Sequence, residues 1–274
     1  MCSSDLFIAE ALKVPARGLL GEITTFDGAT PHFGLFLGQN MYTPRDIRIA
    51  TPQPLDRPWA AWLYLGGVAQ VVHGEKLHTV EVDVGVTGPA ALGDQIQTGW
   101  HQLIGVKTPL GWDNQGPTEP AFMVSYLQKR KYGNADGLEF VPHAGLTLGT
   151  VLTLARAGGI VRLGHNMTGF GPDTIEPGGA MLQNTRGQKR CADWRPCEWF
   201  GYVGADWRLV GYNMFLDGPV FHRGPSVERN RSVHDFTAGL SMRAGVVRIS
   251  FTRVLRSEEF ASAAGGGGRQ AFHS

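Results

Sequence analysis

Residues 79–86 alternate without a break: Val80, Val82, Val84 and Val86 fall on one side of an extended chain, and Thr79, Glu81, Asp83 and Gly85 on the other. Successive side chains of a strand point to opposite faces, so this run predicts a strand with one apolar and one polar face. The same period recurs downstream. Phe122, Val124 and Tyr126 share a face within 121–132, and Ala144, Leu146 and Leu148 oppose His143, Gly145, Thr147 and Gly149 within 138–152. Phe236, Ala238, Leu240 and Met242 oppose Asp235, Thr237, Gly239, Ser241 and Arg243 within 233–244. Further strands are predicted over 33–41, 59–72, 160–166, 198–210, 212–215 and 246–255, with turns at 73–76 and at Gly158-Gly159. Residues 167–197 have no period and are predicted to form a long exposed loop. The sum is roughly nine or ten strands in a hairpin series, with no helical pattern long enough to cover a sheet.

Such a series forms a soluble sandwich, a soluble barrel or a membrane-spanning barrel. The polar faces discriminate. A strand facing water usually carries many Lys and Glu residues, whereas here the polar positions are Gly, Ser and Thr with sparse charges of both signs: Glu81, Asp83, Asp206, Arg208, Asp235, Arg243 and Arg248. Small residues with opposed charges suit the lumen of a barrel whose Val, Leu, Phe and Trp rows face lipid. A sheet in hydrocarbon must close, since an open edge leaves backbone groups without partners. The pattern therefore predicts an all-β fold, an antiparallel transmembrane β-barrel of the outer-membrane type. A soluble β-sandwich that binds carbohydrate through exposed tryptophans is the competing reading.

Composition agrees with many strands: the chain has 38 glycines in 274 residues, and its 18% of charged residues is low against a usual value of about 25%. A net charge of +1 implies no nucleic-acid partner. No run of 18 apolar residues exists, so no transmembrane helix is expected. Cys191 and Cys197 could close a small loop disulfide or remain free thiols, and no His or Cys at zinc spacing accompanies them.

After the residue 79–86 strand the period breaks at Gly88-Pro89, and a compact segment follows with Gln97, Trp100 and His101. A second turn leads into Trp112, Asp113, Asn114 and Gln115. A histidine here either carries chemistry or is simply held by a loop carbonyl. An imidazole titrating near neutral pH can take a proton from water and return it to a leaving alkoxide. If the segment is helical, Gln97 and His101 share a face, and the amide could orient the ring or donate to an oxyanion. Asp56 and Arg57 read as a loop ion pair, Arg57 alternatively as a substrate-phosphate contact. Asp113 and Asn114 read as residues that order the loop after the histidine.

Several runs, in order over most of the chain, resemble the outer-membrane lipid A deacylases, specifically the lipid A 3′-O-deacylase family. They are GQNMYTP (38–44), DRPWAAWLYLG (56–66), GVTGPAALGDQIQTGWHQLIG (85–105), GWDNQ (111–115), NMFLDG (213–218) and RISFTRVLRSEEF (248–260). The resemblance implies a twelve-stranded barrel in the outer membrane, a single chain whose partner is lipid A of lipopolysaccharide. It implies an esterase that removes an acyloxyacyl chain with calcium dependence, and it makes His101 the catalytic base. Residues 1–30 carry neither the family's Asn-Asp pair nor its Tyr-Thr-Asn-Gly type run; Glu22, Thr24, Thr25 and Asp27 stand in a different setting, so no calcium ligands can be named. The tail, 261–274, is low-complexity and does not end on a strand with a terminal aromatic. The expected organisation is a non-family segment (1–30), a deacylase-like barrel (31–260) and a tail, apparently truncated at both ends. Such a chain is either a deacylase or an inactive fragment of one. A non-catalytic barrel or surface-binding protein, with Trp100 and His101 plugging the lumen, is the alternative.

Overall fold

Alternation becomes sidedness in the computed structural model, which describes residues 32–171, 196–245 and 247–261 and the backbone of 270–273. The strands are β1 (His32–Tyr42), β2 (Ala60–His73), β3 (Lys76–Thr87), β4 (Pro120–Arg130), β5 (Tyr132–Gly133), β6 (Gly137–Gly149), β7 (Leu152–His165), β8 (Pro196–Asn213), β9 (Ser232–Ala244), β10 (Val247–Arg256) and β11 (Gln270–His273). They form one 11-stranded antiparallel sheet in chain order, with β5 attached to β6 off the main path. The sheet curls far enough that Arg57, ahead of β2, pairs with Glu259, beyond β10. Among the described residues no ladder joins β1 to β11.

The curl is inside-out by the standard of a water-soluble protein. Val80, Val82 and Val84, together with Phe122, Val124, Tyr126, Leu146, Leu148, Phe236 and Leu240, are all exposed on the outer wall. Glu81, Asp83, Glu139, Asp206, Arg208, Asp235 and Arg243 are buried within. This is the arrangement of a wall that has lipid on one side and a polar lumen on the other. A charge placed on the outer face should therefore be expensive. Val82, mid-strand and 45% exposed, gives a sharp case: Val82→Arg is expected to lower stability in lipid vesicles by about 2–4 kcal/mol. Denaturant unfolding of the reconstituted protein checks it. An effect within about 0.5 kcal/mol, normal for a water-facing position, would contradict a lipid-facing wall.

Four sequence-based expectations are corrected. The tail does reach a strand: β11, which contains Phe272, pairs antiparallel with β10. Gly158-Gly159 is not a turn but lies inside β7, which begins at Leu152 after a tight connection at 150–151. Gly158 is there because its partner strands leave no room: a Cβ would sit 2.4 Å from the Ala205 carbonyl oxygen and 2.8 Å from His143 Nε2. Residues 198–210 and 212–215 are not two strands. β8 runs unbroken to Asn213, whose side chain accepts from the Phe215 amide at 3.0 Å and starts a one-turn helix, α2 (Met214–Asp217). Finally, 167–197 is not all exposed loop. Met167 and Phe170 are buried, Arg162 Nη1 donates to the Gly171 carbonyl at 2.8 Å, and β8 already starts at Pro196. Residues 1–31 and 172–195, including Cys2 and Cys191, lie outside the described residues. Cys197 is disulfide-bonded.

Two kinds of packing fill the lumen. Beneath the rim where β1, β3, β6, β8 and β10 end, an apolar cluster joins Phe36, Trp62, Tyr64, Met123, Leu154, Val210 and Val233 to Met214 and Phe215 of α2. Deeper in lies a ladder of ion pairs. Asp206 takes His143 Nε2 at 2.5 Å and Arg156 Nη2 at 2.9 Å, and Arg208 reaches Asp235. Asp235 takes Arg256 on both oxygens, at 2.9 and 3.0 Å, and Arg256 also approaches Glu259, the partner of Arg57.

Candidate active site on the outer wall

The histidine segment is a helix, α1 (Gly93–Leu103), entered through a single 3-10 turn at Gly88–Ala91. Its buried residues are Gly93, Gln97 and His101, spaced four apart, which lays one narrow stripe against a support. That support is the outside of the barrel. Gln39, Met41, Ala61 and Leu63 pair with one another across β1 and β2 on the same face as the exposed Leu37 and Leu65. Gln39 Nε2 donates to the Ala91 carbonyl at 2.5 Å, and a Cβ on Gly93 would lie 2.7 Å from Ala61 Cβ. Met41, Trp59, Ala61, Ala91 and Trp112 form the apolar seat, with Ile96 and Leu63 packed on it. The lumen at this level belongs to α2 and its cluster, so Trp100 and His101 do not plug it.

The end of α1 fixes the orientation of the imidazole. Gly105 adopts φ +70°, a left-handed conformation that glycine takes without a side-chain clash, and the chain folds back over the last turn. Val106 N–H donates to the His101 carbonyl at 3.0 Å, and the Lys107 carbonyl lies 2.6 Å from His101 Nδ1. A carbonyl oxygen only accepts, so Nδ1 is the donor, and in the neutral ring the lone pair is then on Nε2. The loop carbonyl expected of a merely structural histidine is present, and it leaves the ring in the tautomer of a base. His101 is 7% exposed.

Gln97 lies one turn earlier. Its Oε1 accepts from Trp112 Nε1 at 2.8 Å, and Trp112 stacks obliquely on Trp59 with ring centroids 5.0 Å apart. Asn114 Nδ2 donates to the carbonyls of Ala50 and Gly111 at 2.8 and 3.0 Å, tying the loop after α1 to loop 43–59, as its sequence position suggested. Asp56 and Arg57 do not pair with each other through their side chains. Asp56 accepts from the backbone amides of Arg45 and Arg57, at 2.8 and 2.7 Å. The Arg57 guanidinium is buried on Glu259, 4.9 Å above the Tyr42 ring and 5.8 Å from that of Phe260.

Sequence reasoning missed Glu119. Its buried carboxylate accepts from the Val220 and Phe221 amides at 3.0 Å and from His222 Nδ1 at 2.8 Å, fastening loop 214–231 to the loop that carries the histidine. Burial alone would raise its pKa, but the His222 ring and these amides outweigh that and hold it below the ordinary carboxylate value. A lone acid before a strand carries no sequence signal for such a role. Around the helix the surface is apolar: Leu92, Trp100, Ile104, Val106 and Leu110 are exposed, and Leu103 is 77% exposed.

The chain that carries this histidine and amide on the lipid side of an inverted barrel is matched by a family model. The model described as Outer membrane protein LpxR covers residues 9–270. The chain belongs to the LpxR family of outer-membrane proteins. The match extends into residues 1–30, which none of the sequence runs covers. Among solved structures the fold is similar to LpxR from Salmonella typhimurium, with a TM-score of 0.74 and 19% identity over 92% of this chain and 82% of that one. No curated protein matches. The protein is thus an outer-membrane barrel, and its exposed Val, Leu and Phe rows are its lipid contact.

The family resemblance also implied calcium. Among the described residues no three His, Cys, Asp or Glu side chains come together as a ligand group. Gln97 Oε1 is already engaged by Trp112 and the Lys107 carbonyl by His101. A hard cation needs several oxygen ligands, and the described residues do not fit one here.

Proposed function

We propose that this chain is an outer-membrane esterase that removes an acyloxyacyl chain from lipid A of lipopolysaccharide. The observation that carries the reading is the 2.6 Å approach of His101 Nδ1 to the Lys107 carbonyl, on a helix laid against the lipid-facing wall. A lipid substrate would reach this face sideways from the bilayer, with its acyl chains along the wall and its ester at the level of α1. Loops 43–59, 88–119 and 214–231 all rise at this rim. Long loops mark the extracellular side of such barrels, which supports a position for α1 at the leaflet that holds lipopolysaccharide.

His101 Nε2 takes a proton from water as the water oxygen bonds to the ester carbonyl carbon. The carbonyl oxygen becomes an oxyanion, toward which the Gln97 amide donates. Collapse of this intermediate breaks the bond to the alkoxide, which takes back the proton from His101 and leaves as an alcohol beside a free fatty acid. Arg57, as a phosphate contact, would first have to leave Glu259; its role is to hold the wall.

The test is to express the chain in the outer membrane of a host with fully acylated lipid A, and to weigh the extracted lipid. A mass lower by one acyloxyacyl unit is expected. Unchanged lipid A beside folded, membrane-inserted protein rejects the reading and leaves the non-catalytic barrel.

A further inference from the structure

We infer that Trp112 is a positioning residue for the esterase reaction: its indole N–H fixes which end of the Gln97 amide faces the reacting carbonyl. The inference rests on the esterase reading and adds a residue to it. An indole N–H can only donate, so the group it meets at 2.8 Å is the amide oxygen. The opposite end of the side chain is then the NH2 group, which meets no acceptor among the described residues. Without Trp112 the amide could turn over and present its oxygen, which would repel an oxyanion instead of stabilising it.

The indole is itself immobilised. It is 3% exposed, wedged between Trp59 and the start of α1. A Cβ on Gly93 would stand 2.6 Å from Trp112 Cη2, and one on Gly111 would stand 2.6 Å from Trp59 Nε1. The loop on either side is pinned as well, by Leu110 N–H to the Ile47 carbonyl at 2.8 Å and by Asn114 to Ala50. A rigid donor facing a single acceptor is what orienting an amide requires.

Trp112→Phe keeps an aromatic ring on Trp59 and removes the N–H. With the purified, detergent-solubilised chain and lipid A as substrate, it is expected to lower kcat roughly tenfold and leave KM within about twofold, as loss of one well-placed hydrogen bond would. Gln97→Ala should lower kcat by about 10²–10³. In the Gln97→Ala background, Trp112→Phe should change nothing further. The inference is overturned if Trp112→Phe is silent in the otherwise wild-type chain, or if it costs the same factor in both backgrounds, as a purely structural tryptophan would. A measurement independent of turnover accompanies these. The Trp112 indole proton should exchange slowly in the wild type and quickly in Gln97→Ala, and quick exchange in both also overturns it. Lipid A untouched by the wild type, with the indole proton still protected, removes the esterase reading while retaining the hydrogen bond.

Discussion

His101→Ala is expected to reduce deacylation by about 10²–10⁴-fold, the usual contribution of a positioned general base, while the barrel still folds and inserts. The two halves of this expectation have separate grounds. Among the described residues the ring makes one hydrogen bond, to the Lys107 carbonyl, and Lys107 lies in an exposed loop. Its removal therefore costs the wall little. No second histidine shares α1, and His143, the other buried histidine among the described residues, is inside the lumen on Asp206. Lipid A mass after expression in the outer membrane reads activity, and heat-dependent gel mobility reads folding. Wild-type turnover in His101→Ala would show that the imidazole is a structural plug for the end of α1. A variant that fails to insert would instead show the carbonyl bond to be essential to the wall.

The sheet was readable in the sequence because the strands are two-faced. At Val80–Val86 the period of two is strict, and the charges named on polar faces, from Glu81 and Asp83 through Asp235 and Arg243, are buried in the lumen. Their scarcity and mixed sign foretold the inversion, since a lumen must neutralise its own charges whereas a wet face need not. What could not be read is who neutralises whom. Arg57 and Glu259 stand 202 residues apart, and only the curl of the sheet brings them together. The histidine and its glutamine were legible because four-residue spacing is local. The side of the wall that α1 occupies was not, because an apolar seat of Met41, Ala61 and Trp59 looks the same in sequence whether it faces lumen or lipid. Where glycine misled, at Gly158-Gly159, it served close packing within a strand, which has the same spelling as a turn.

Removing one carboxylate from the ladder should have the largest effect on stability. Asp235 is 1% exposed and bonded to both Arg208 and Arg256. The register makes it hard to replace, because Asp206 lies directly opposite Asp235 across β8 and β9, and Arg156 directly opposite Arg208 across β7 and β8. Like charges opposed in a sheet repel. The wall tolerates these rows because Asp206 lies among His143, Arg156 and Arg208, and Asp235 between Arg208 and Arg256. Asp235→Ala leaves Arg208 and Arg256 buried with half their compensation, and a loss of about 3–5 kcal/mol is expected. Denaturant unfolding in lipid vesicles measures it. Removing Arg256 as well should return part of the loss, since the second charge is then no longer stranded. The ladder also reaches the site. Arg256 leads through Glu259 to Arg57, and two residues on is Trp59, the ring on which Trp112 rests. Asp235→Ala should therefore loosen the loop that holds Gln97 before the barrel opens, and the Trp112 indole proton should lose its protection at a lower denaturant concentration than the strands do. Simultaneous loss of both would mean that the lumen charges and the outer-wall site are joined only by the fold as a whole.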